Sequence, residues 1–90
     1  MENIINEILD FVQNYVENTF EEKGKLELEV DNYILSLEYK ASINEDVNIY
    51  KEEHENTQYT SYITMINVTE LYENEKLNEQ KRQELNRNLN

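Results

Sequence analysis

The 90-residue chain contains no cysteine, no proline and no tryptophan, and it has a single glycine, Gly24, and a single histidine, His54. Without cysteine there is no disulfide framework, no thiolate metal site and no cysteine nucleophile, a usage typical of the reducing cytoplasm. Phosphate-binding loops need several glycines close together, so a single glycine argues against that class of site. A chain of this length buries about 60–65% of its unfolded surface, which suits one small domain over residues 1–90.

Basic side chains are also scarce, with 8 lysines and arginines against 20 aspartates and glutamates, so the net charge is −12. This charge repels phosphate-rich partners at long range, and we expect no direct nucleic-acid binding. No run of 18 apolar residues occurs, and the N-terminus lacks the basic segment and apolar run of a signal peptide. We therefore expect no membrane association and a cytoplasmic location. The acidity either serves solubility alone or attracts a basic partner.

The N-terminal segment has the spacing of an amphipathic helix. Its periodic apolar residues are Ile5, Ile8, Val12, Tyr15, Val16 and Phe20. They predict a helix from Asn3 to Phe20 with one apolar stripe. Asn3 is the expected N-cap. Gly24 is expected to close the C-terminal end, because glycine takes the left-handed conformation without steric cost.

From Lys25 onward the apolar period changes to two, which predicts strands. Asp31 and Asn32 both tolerate positive φ and predict a two-residue turn that determines the pairing. The expected pairs are Val30 with Tyr33, Leu28 with Leu35 and Leu26 with Leu37 on one face, and Lys25 with Glu38 on the other. Because every apolar pair falls on the same face, the sequence predicts a hairpin with one buried side.

Two more strands are predicted after this hairpin. Residues 44–46 read as a turn, followed by a third strand over residues 47–54 that residues 56–58 interrupt. Residues 59–72 are rich in threonine, tyrosine, isoleucine and valine and predict a fourth strand. The apolar pattern shifts near Met65, which indicates a β-bulge there.

A turn over residues 73–75 leads to a predicted C-terminal helix. Asn78 is its expected N-cap, Leu77 precedes it as a hydrophobic staple, and Leu85 and Leu89 lie one turn apart on an otherwise charged surface. The order α-β-β-β-β-α predicts an α+β fold. We expect the N-terminal helix to pack on one face of a three- to four-stranded antiparallel meander, with the C-terminal helix after it.

His54 is the natural candidate for acid-base or metal chemistry, since Glu52, Glu53 and Glu55 surround it. On a strand, Glu52 and His54 share a face while Glu53 and Glu55 point the other way, so at most two ligands converge. A serine nucleophile is also not indicated, because no serine lies in the glycine-flanked turn that exposes a catalytic serine, and His54 is the only candidate for the base. We therefore predict no catalytic residue, no metal and no cofactor.

The carboxylates of the first strand form a row instead. Glu27, Glu29 and Asp31 recur at about 6.6 Å on one face, close to twice the rise of about 3.4 Å per nucleotide along one DNA strand. Such a row fits a basic nucleic-acid-binding groove, although the solvent face of any antiparallel sheet in an acidic protein looks similar. The predicted partner-binding residues are Glu27, Glu29, Asp31, Glu38, Glu45, Asp46, Tyr50, Glu52, Glu53 and Glu55.

Tyrosine is the dominant aromatic residue, with 7 tyrosines against 2 phenylalanines. Tyr50, Tyr62 and Tyr72 fall outside the inward-facing register, so they are candidates for exposed positions. Tyrosine is enriched at protein interfaces because it buries a large area and keeps a polar group. Ordinary strand propensity is the alternative explanation for each of them.

The hairpin KLELEVDNYILSLEYK, the ending ITMINVTELYENEKLNEQKRQELNRNL and the strong acidity resemble small accessory proteins of bacteriophages, including anti-CRISPR and DNA-mimic inhibitors. The resemblance implies a non-enzymatic inhibitor in the bacterial host cytoplasm that binds a basic host protein, either a nuclease or another nucleic-acid-binding protein. It assigns no site residue. The alternative is a small structural or assembly module, a homodimer through a strand edge, with acidity serving only solubility.

Overall fold

The computed structural model describes residues 2–49 and 55–89, with side chains described for residues 3–44 and 59–89. Its elements are α1 (Glu2–Thr19), β1 (Lys23–Val30), β2 (Tyr33–Ile49), β3 (Glu55–Glu73), β4 (Lys76–Leu77) and α2 (Glu79–Leu89). The strands form one antiparallel sheet in the order β1-β2-β3-β4. The predicted α+β fold and its α-β-β-β-β-α order are confirmed.

Helix α1 ends differently from the prediction. Phe20 takes the left-handed conformation, with φ of 56°, and its N–H donates to the Val16 carbonyl at 2.8 Å. This geometry is the αL C-cap motif, in which one hydrogen bond closes the end of the helix. Gly24 lies in β1 opposite Tyr39 instead. A Cβ on Gly24 would lie 3.0 Å from the Tyr39 ring, so glycine serves close packing there. The helix already includes Asn3, which is therefore not its N-cap.

The β1–β2 hairpin has the predicted register. Its pairs include Val30 with Tyr33, Leu28 with Leu35, Leu26 with Leu37 and Lys25 with Glu38. Asp31 supplies the positive φ of the turn, at 53°. The alternation of apolar and polar residues was sufficient here, because a slip of one residue would have turned every leucine toward solvent.

The predicted turn at residues 44–46 and the separate third strand over 47–54 are wrong. Strand β2 continues without a turn to Ile49, and residues 56–58 lie within β3, paired with residues 46–48. The pairing of two long strands overrides the local turn preference of asparagine, aspartate and glutamate. Residues 50–54, including His54, lie outside the described residues.

Strand β3 contains two bulges. Thr64 is the extra residue between the pairs Lys40–Met65 and Ala41–Ile63, which confirms the bulge predicted near Met65. A second extra residue, Thr69, was not predicted. Each bulge resets the alternation of β3. As a result, the unevenly spaced residues Ile63, Ile66, Val68 and Leu71 all pair with inward-facing positions of β2.

A tight turn in which Asn74 and Glu75 have φ of 50° and 68° joins β3 to β4, and helix α2 follows β4. The Asn78 side chain accepts the Lys81 N–H at 3.0 Å, which confirms the predicted N-cap. The predicted staple is wrong, because Leu77 stays 55% exposed and pairs with Tyr72 in β4. Leu85 is completely buried and ties the helix to the core.

Asn86 of α2 closes part of the β3 edge. Its Nδ2 donates to the Val68 carbonyl at 3.0 Å, and its Oδ1 accepts the Val68 N–H at 2.8 Å. The side-chain amide thus satisfies the two backbone groups that a neighbouring strand would otherwise bind. Helix α2 replaces a fifth strand at this position.

Both helices contribute to one hydrophobic cluster on the same side of the sheet. Its buried members are Ile4, Ile8, Val12, Val16, Val30, Leu35, Leu37, Tyr39, Ala41, Ile66, Val68, Leu71 and Leu85. The protein is long and narrow, at 59 × 21 × 20 Å, because β2 and β3 extend past the helices. In the part of the chain that the structure describes, no helix has the length and apolarity needed to cross a membrane.

Candidate partner-binding surfaces

The side of the sheet away from the core cluster is here called the outer face. Its cross-strand rows are Glu29–Ile34–Tyr72–Leu77, Glu27–Ser36–Glu70, Lys25–Glu38–Asn67 and Lys23–Lys40–Met65, followed by Ser42–Tyr62 and Asn44–Thr60. The first two rows contain carboxylates and no basic residue. The next two contain the lysines. The outer face is therefore divided into an acidic half, near the 31–32 turn, and a mixed half.

Four exposed carboxylates form what we call the acidic patch: Glu27, Glu29, Asp31 and Glu70. The structure thus brings together the row predicted from the sequence and adds Glu70 from β3. Beside Ser36 the outer face has a shallow depression of about 400 Å³, and Lys25, Glu27 and Glu38 are among the residues that line it. Carboxylates from two different strands and one lysine therefore lie around this depression.

Glu38 was also predicted for this surface, but its environment differs. It is half-buried, its Oε1 accepts a hydrogen bond from Asn67 Nδ2 at 3.0 Å, and it lies opposite Lys25. The hydrogen bond from Asn67 engages the Glu38 carboxylate within the sheet. Glu38 therefore marks the boundary of the acidic patch and is not a freely presented carboxylate.

Three of the other predicted contact residues, Glu45, Asp46 and Glu55, lie far from the patch. Glu45 is about 30 Å further along β2 than Ser36, at about 3.3 Å per residue, and Asp46 and Glu55 lie beyond it in the β2–β3 pairing. Tyr50, Glu52 and Glu53 lie outside the described residues. The described members of the predicted set therefore lie in two separate places along the sheet, with the lysine rows between them.

An exposed aromatic pair, Phe20 and Tyr59, was missed by the sequence prediction. The two rings are 52% and 54% exposed, with centroids 5.0 Å apart, and together with Glu22 and Ile43 they line a depression of about 370 Å³. Phe20 matched the apolar stripe of α1, so it was assigned to the core. The exposure predicted for Tyr62 and Tyr72 is confirmed, at 49% and 37%.

The segment before β1 is held in place by two tyrosines. Tyr39 donates its hydroxyl hydrogen to the Glu21 carbonyl at 3.0 Å, and Tyr15 donates to the Glu21 carboxylate at 3.0 Å. The two rings meet edge to face at 6.0 Å. The hydrogen bond to Glu21 raises the pKa of Tyr15, while burial is the main cause that raises the pKa of Tyr39. Both hydroxyls therefore remain protonated and donate hydrogen bonds at neutral pH. These bonds hold Glu21, the residue after Phe20, and so help to hold Phe20 in place.

A second polar cluster joins the turn end of the sheet to α2. Hydrogen bonds from the Tyr33 hydroxyl and then from Asn78, whose Nδ2 lies 3.0 Å from Glu73 Oε1, lower the pKa of Glu73. Lys81 lies 5.7 Å from the centre of the Tyr33 ring and also favours the charged form of Glu73. These residues are engaged with one another, so they stabilise the fold and are not offered to a partner.

One edge of β2 is free over half of the strand. Strand β1 pairs with β2 as far as Lys40, and the Ala41 N–H then donates to the Glu22 carbonyl at 2.7 Å. Beyond Ala41, no described strand pairs with this edge of β2. We call residues 42–49 and 55–62 the arm, because these parts of β2 and β3 form strand pairs with each other and with no third described strand.

No cluster of three or more histidine, cysteine, aspartate and glutamate side chains with the geometry to hold a metal ion occurs in residues 2–49 and 55–89. Comparison with models of protein families, with curated proteins and with solved structures found no match to this chain. What the protein binds is therefore inferred from its own geometry.

Proposed function

We propose that the protein is a non-enzymatic binding module whose acidic patch docks in the basic groove of a protein that handles nucleic acid. A protein that fills such a groove excludes the nucleic acid and therefore acts as an inhibitor. In a bacterial cell the target is a nuclease or another defence protein, in keeping with the bacteriophage inhibitors that the chain resembles.

The observation that carries this proposal is the lack of ion pairs at the acidic patch in the described structure. Glu27 and Glu29 form no ion pair in the described structure, where the ion pair within 4 Å is the one between Arg82 and Glu79. No basic residue lies in the two cross-strand rows of the patch. Unpaired surface carboxylates repel one another, and a basic partner would relieve that repulsion.

The rows of the sheet also support a groove as the target. Glu27 and Glu70 lie on either side of Ser36, so the row of carboxylates on β1 is joined by one carboxylate on β3 about 10 Å away, at about 4.8 Å between strands. Negative charge on two strands can contact both walls of a basic groove. Association of this kind is fast at low salt and slows as salt screens the charges.

The alternative of a homodimer through the arm is less favoured by the charge pattern. If the free edges of two β2 strands paired antiparallel around Glu45 or around Asp46, that residue of one copy would lie opposite the same residue of the other. Like charges directly opposite each other destabilise a strand pair, and each chain carries a net charge of −12. An assembly through this edge would have to overcome both effects.

A pull-down from a bacterial lysate tests the proposal. The wild type is compared with Glu27→Lys/Glu29→Lys, and Glu7→Lys/Asp10→Lys serves as the matched control, since it makes the same charge change at exposed positions of α1. We expect the wild type and the control to retain a basic nucleic-acid-binding protein at low salt. The patch variant should bind it about tenfold or more weakly, and duplex DNA should compete with the wild type.

Two results would contradict the proposal. One is that the wild type retains no nucleic-acid-binding protein at low salt. The other is that the patch variant and the α1 control bind the retained protein with the same affinity, because the contact would then lie away from Glu27 and Glu29. Circular dichroism of the variants separates a lost contact from a lost fold.

A further inference from the structure

We propose that the free edge of β2 between Ser42 and Ile49 binds an extended segment of a partner protein, rich in lysine and arginine, as an additional strand. One of the cationic side chains of this segment lies over the Phe20–Tyr59 pair. The surface is separate from the acidic patch, so the inference does not depend on the proposed docking of that patch.

The backbone of the arm supplies the hydrogen-bonding groups. In an antiparallel sheet, alternate residues of a strand direct their N–H and C=O toward the same neighbour. Ala41 directs its N–H toward the β1 side. The alternation therefore places the backbone groups of Ile43, Glu45, Val47 and Ile49 on the free edge, where no described strand binds them. An open edge of this kind is a template for an added strand.

The path of the chain before β1 leaves this edge open. The left-handed Phe20 turns the chain out of helix α1, and it reaches β2 only at Glu22, whose carbonyl accepts the Ala41 N–H. A partner strand along the edge would therefore continue the line of β1 beyond Glu22. The Phe20 ring lies at the start of that line, next to Ile43.

Charge selects the chemistry of the partner segment. Residues 42–49 include Glu45 and Asp46 and no basic residue, and Glu22 lies where the added strand would begin. Opposite charges on neighbouring strands stabilise their pairing, whereas like charges oppose it. A basic segment is therefore favoured over a neutral one and over a second copy of this acidic chain.

The aromatic pair supplies a position for one cation. The rings of Phe20 and Tyr59 are more than half exposed and line one depression with the carboxylate-bearing Glu22. A guanidinium or ammonium group within about 6 Å of an aromatic ring is attracted to its face. Two rings and one carboxylate around a depression of about 370 Å³ form a site of this chemistry.

The test uses a fluorescent peptide of about ten residues in which lysine or arginine alternates with valine or threonine, long enough to cover the edge. Anisotropy measures its affinity for the full-length protein. Three further peptides are compared: one with glutamate in place of lysine and arginine, and two N-methylated on one or the other set of alternate amides. We expect no binding of the acidic peptide. One of the two methylated peptides should bind at least about tenfold more weakly, because methylation removes the hydrogen bonds on one edge only.

Two pairs of variants locate the site on the protein. Val47→Pro removes an edge N–H, whereas Val47→Ala keeps it, so only the proline variant should lose about fivefold to tenfold in affinity. Phe20→Ala should bind the peptide several-fold more weakly, as expected for the loss of a cation–π contact. Tyr62→Ala, on the outer face of the sheet, should bind it as tightly as the wild type. Glu27→Lys/Glu29→Lys should bind the peptide within about threefold of wild type.

Three results would overturn the inference. The first is equal affinity for the unmodified peptide and both methylated peptides, which would indicate attraction by charge alone. The second is equal affinity of folded Val47→Pro and Val47→Ala. The third is a wild-type dimer by light scattering that Val47→Pro converts to a monomer, because a second copy would then occupy the edge.

Discussion

The hairpin formed by β2 and β3 is built in two ways along its length. Near the 31–32 turn it is flanked by β1 and β4 and covered by both helices, and Leu35 and Leu37 there are essentially inaccessible to solvent. In the arm the same two strands pair only with each other. A two-stranded ribbon contributes little stability by itself, so the comparison separates a region that holds the fold together from one that can serve binding.

The largest difference should appear when apolar side chains are shortened. Leu35→Ala removes a fully buried side chain from the middle of the sheet and should lower the free energy of unfolding by about 2 to 5 kcal/mol. Ile43→Ala, at the start of the arm, is only half-buried and should cost about 1 kcal/mol. Urea denaturation measures both. Equal losses would mean that the arm contributes to the core as much as the helix-covered part does.

The next effect concerns how α2 closes the edge of β3. Asn86→Ala should lower the free energy of unfolding by about 1 to 3 kcal/mol, because it removes the side-chain acceptor of the Val68 N–H and leaves the Val68 carbonyl with only the longer hydrogen bond from Arg82 Nη1, at 3.3 Å. Gln83→Ala, at an exposed position of the same helix, is the matched control and should change it by less than about 0.5 kcal/mol. If the two variants were equally stable, hydrogen bonding by Asn86 would not be what secures this edge.

A smaller effect is expected at Gly24. Gly24→Ala should lower the free energy of unfolding by about 1 kcal/mol, since crowding of the buried Tyr39 ring at 3.0 Å outweighs the gain from a less flexible unfolded chain. In a Tyr39→Leu background the same change should become neutral or stabilising, because the ring is gone. A loss of the same size in both backgrounds would exclude the ring as the cause.

The smallest effect is a pH dependence at the turn end. The pKa of Glu73 is lower in the folded protein than its ordinary value of 4.5. The charged form therefore stabilises the fold at pH values above 4.5, and this stabilisation is lost as the pH falls through the pKa of the folded protein. The stability gap between wild type and Glu73→Gln should therefore be largest near neutral pH and shrink below pH 4.5. Thermal unfolding at several pH values measures it, with Glu75→Gln as a matched loss of charge in the same turn. A gap that does not change with pH would contradict the role of Tyr33 and Asn78.

The parts of the fold that could be predicted from the sequence are those where a regular spacing of apolar residues lies next to a turn or capping residue. The β1–β2 register follows from leucines at every second position around Asp31 and Asn32, and Asn78 caps α2 as its position suggested. The end of β2 was misjudged because residues 44–46 have turn-type side chains, although they pair across to β3. Local preference was outweighed by a long-range pairing that no short window of sequence contains.

The candidate surfaces follow the same division. The alternation of β1 placed Glu27 and Glu29 together on the outer face, and the structure agrees. Glu70 joins them only because Thr69 bulges and resets the alternation of β3. Phe20 was assigned to the core because its spacing continues the stripe of α1, but the helix ends one residue earlier and leaves the ring exposed.

Periodicity and charge along the chain were sufficient to predict the class of fold, the faces of α1 and of the first hairpin, and the acidity of the surface, because they are properties of neighbouring residues. The length of the arm, the free edge of β2 and the position of Phe20 beside Tyr59 became visible in the folded structure alone. These features depend on where β1 stops pairing with β2 and on which strand accepts the bulges. They arise from contacts between distant parts of the chain, and contacts of that kind decide which surfaces remain available to a partner.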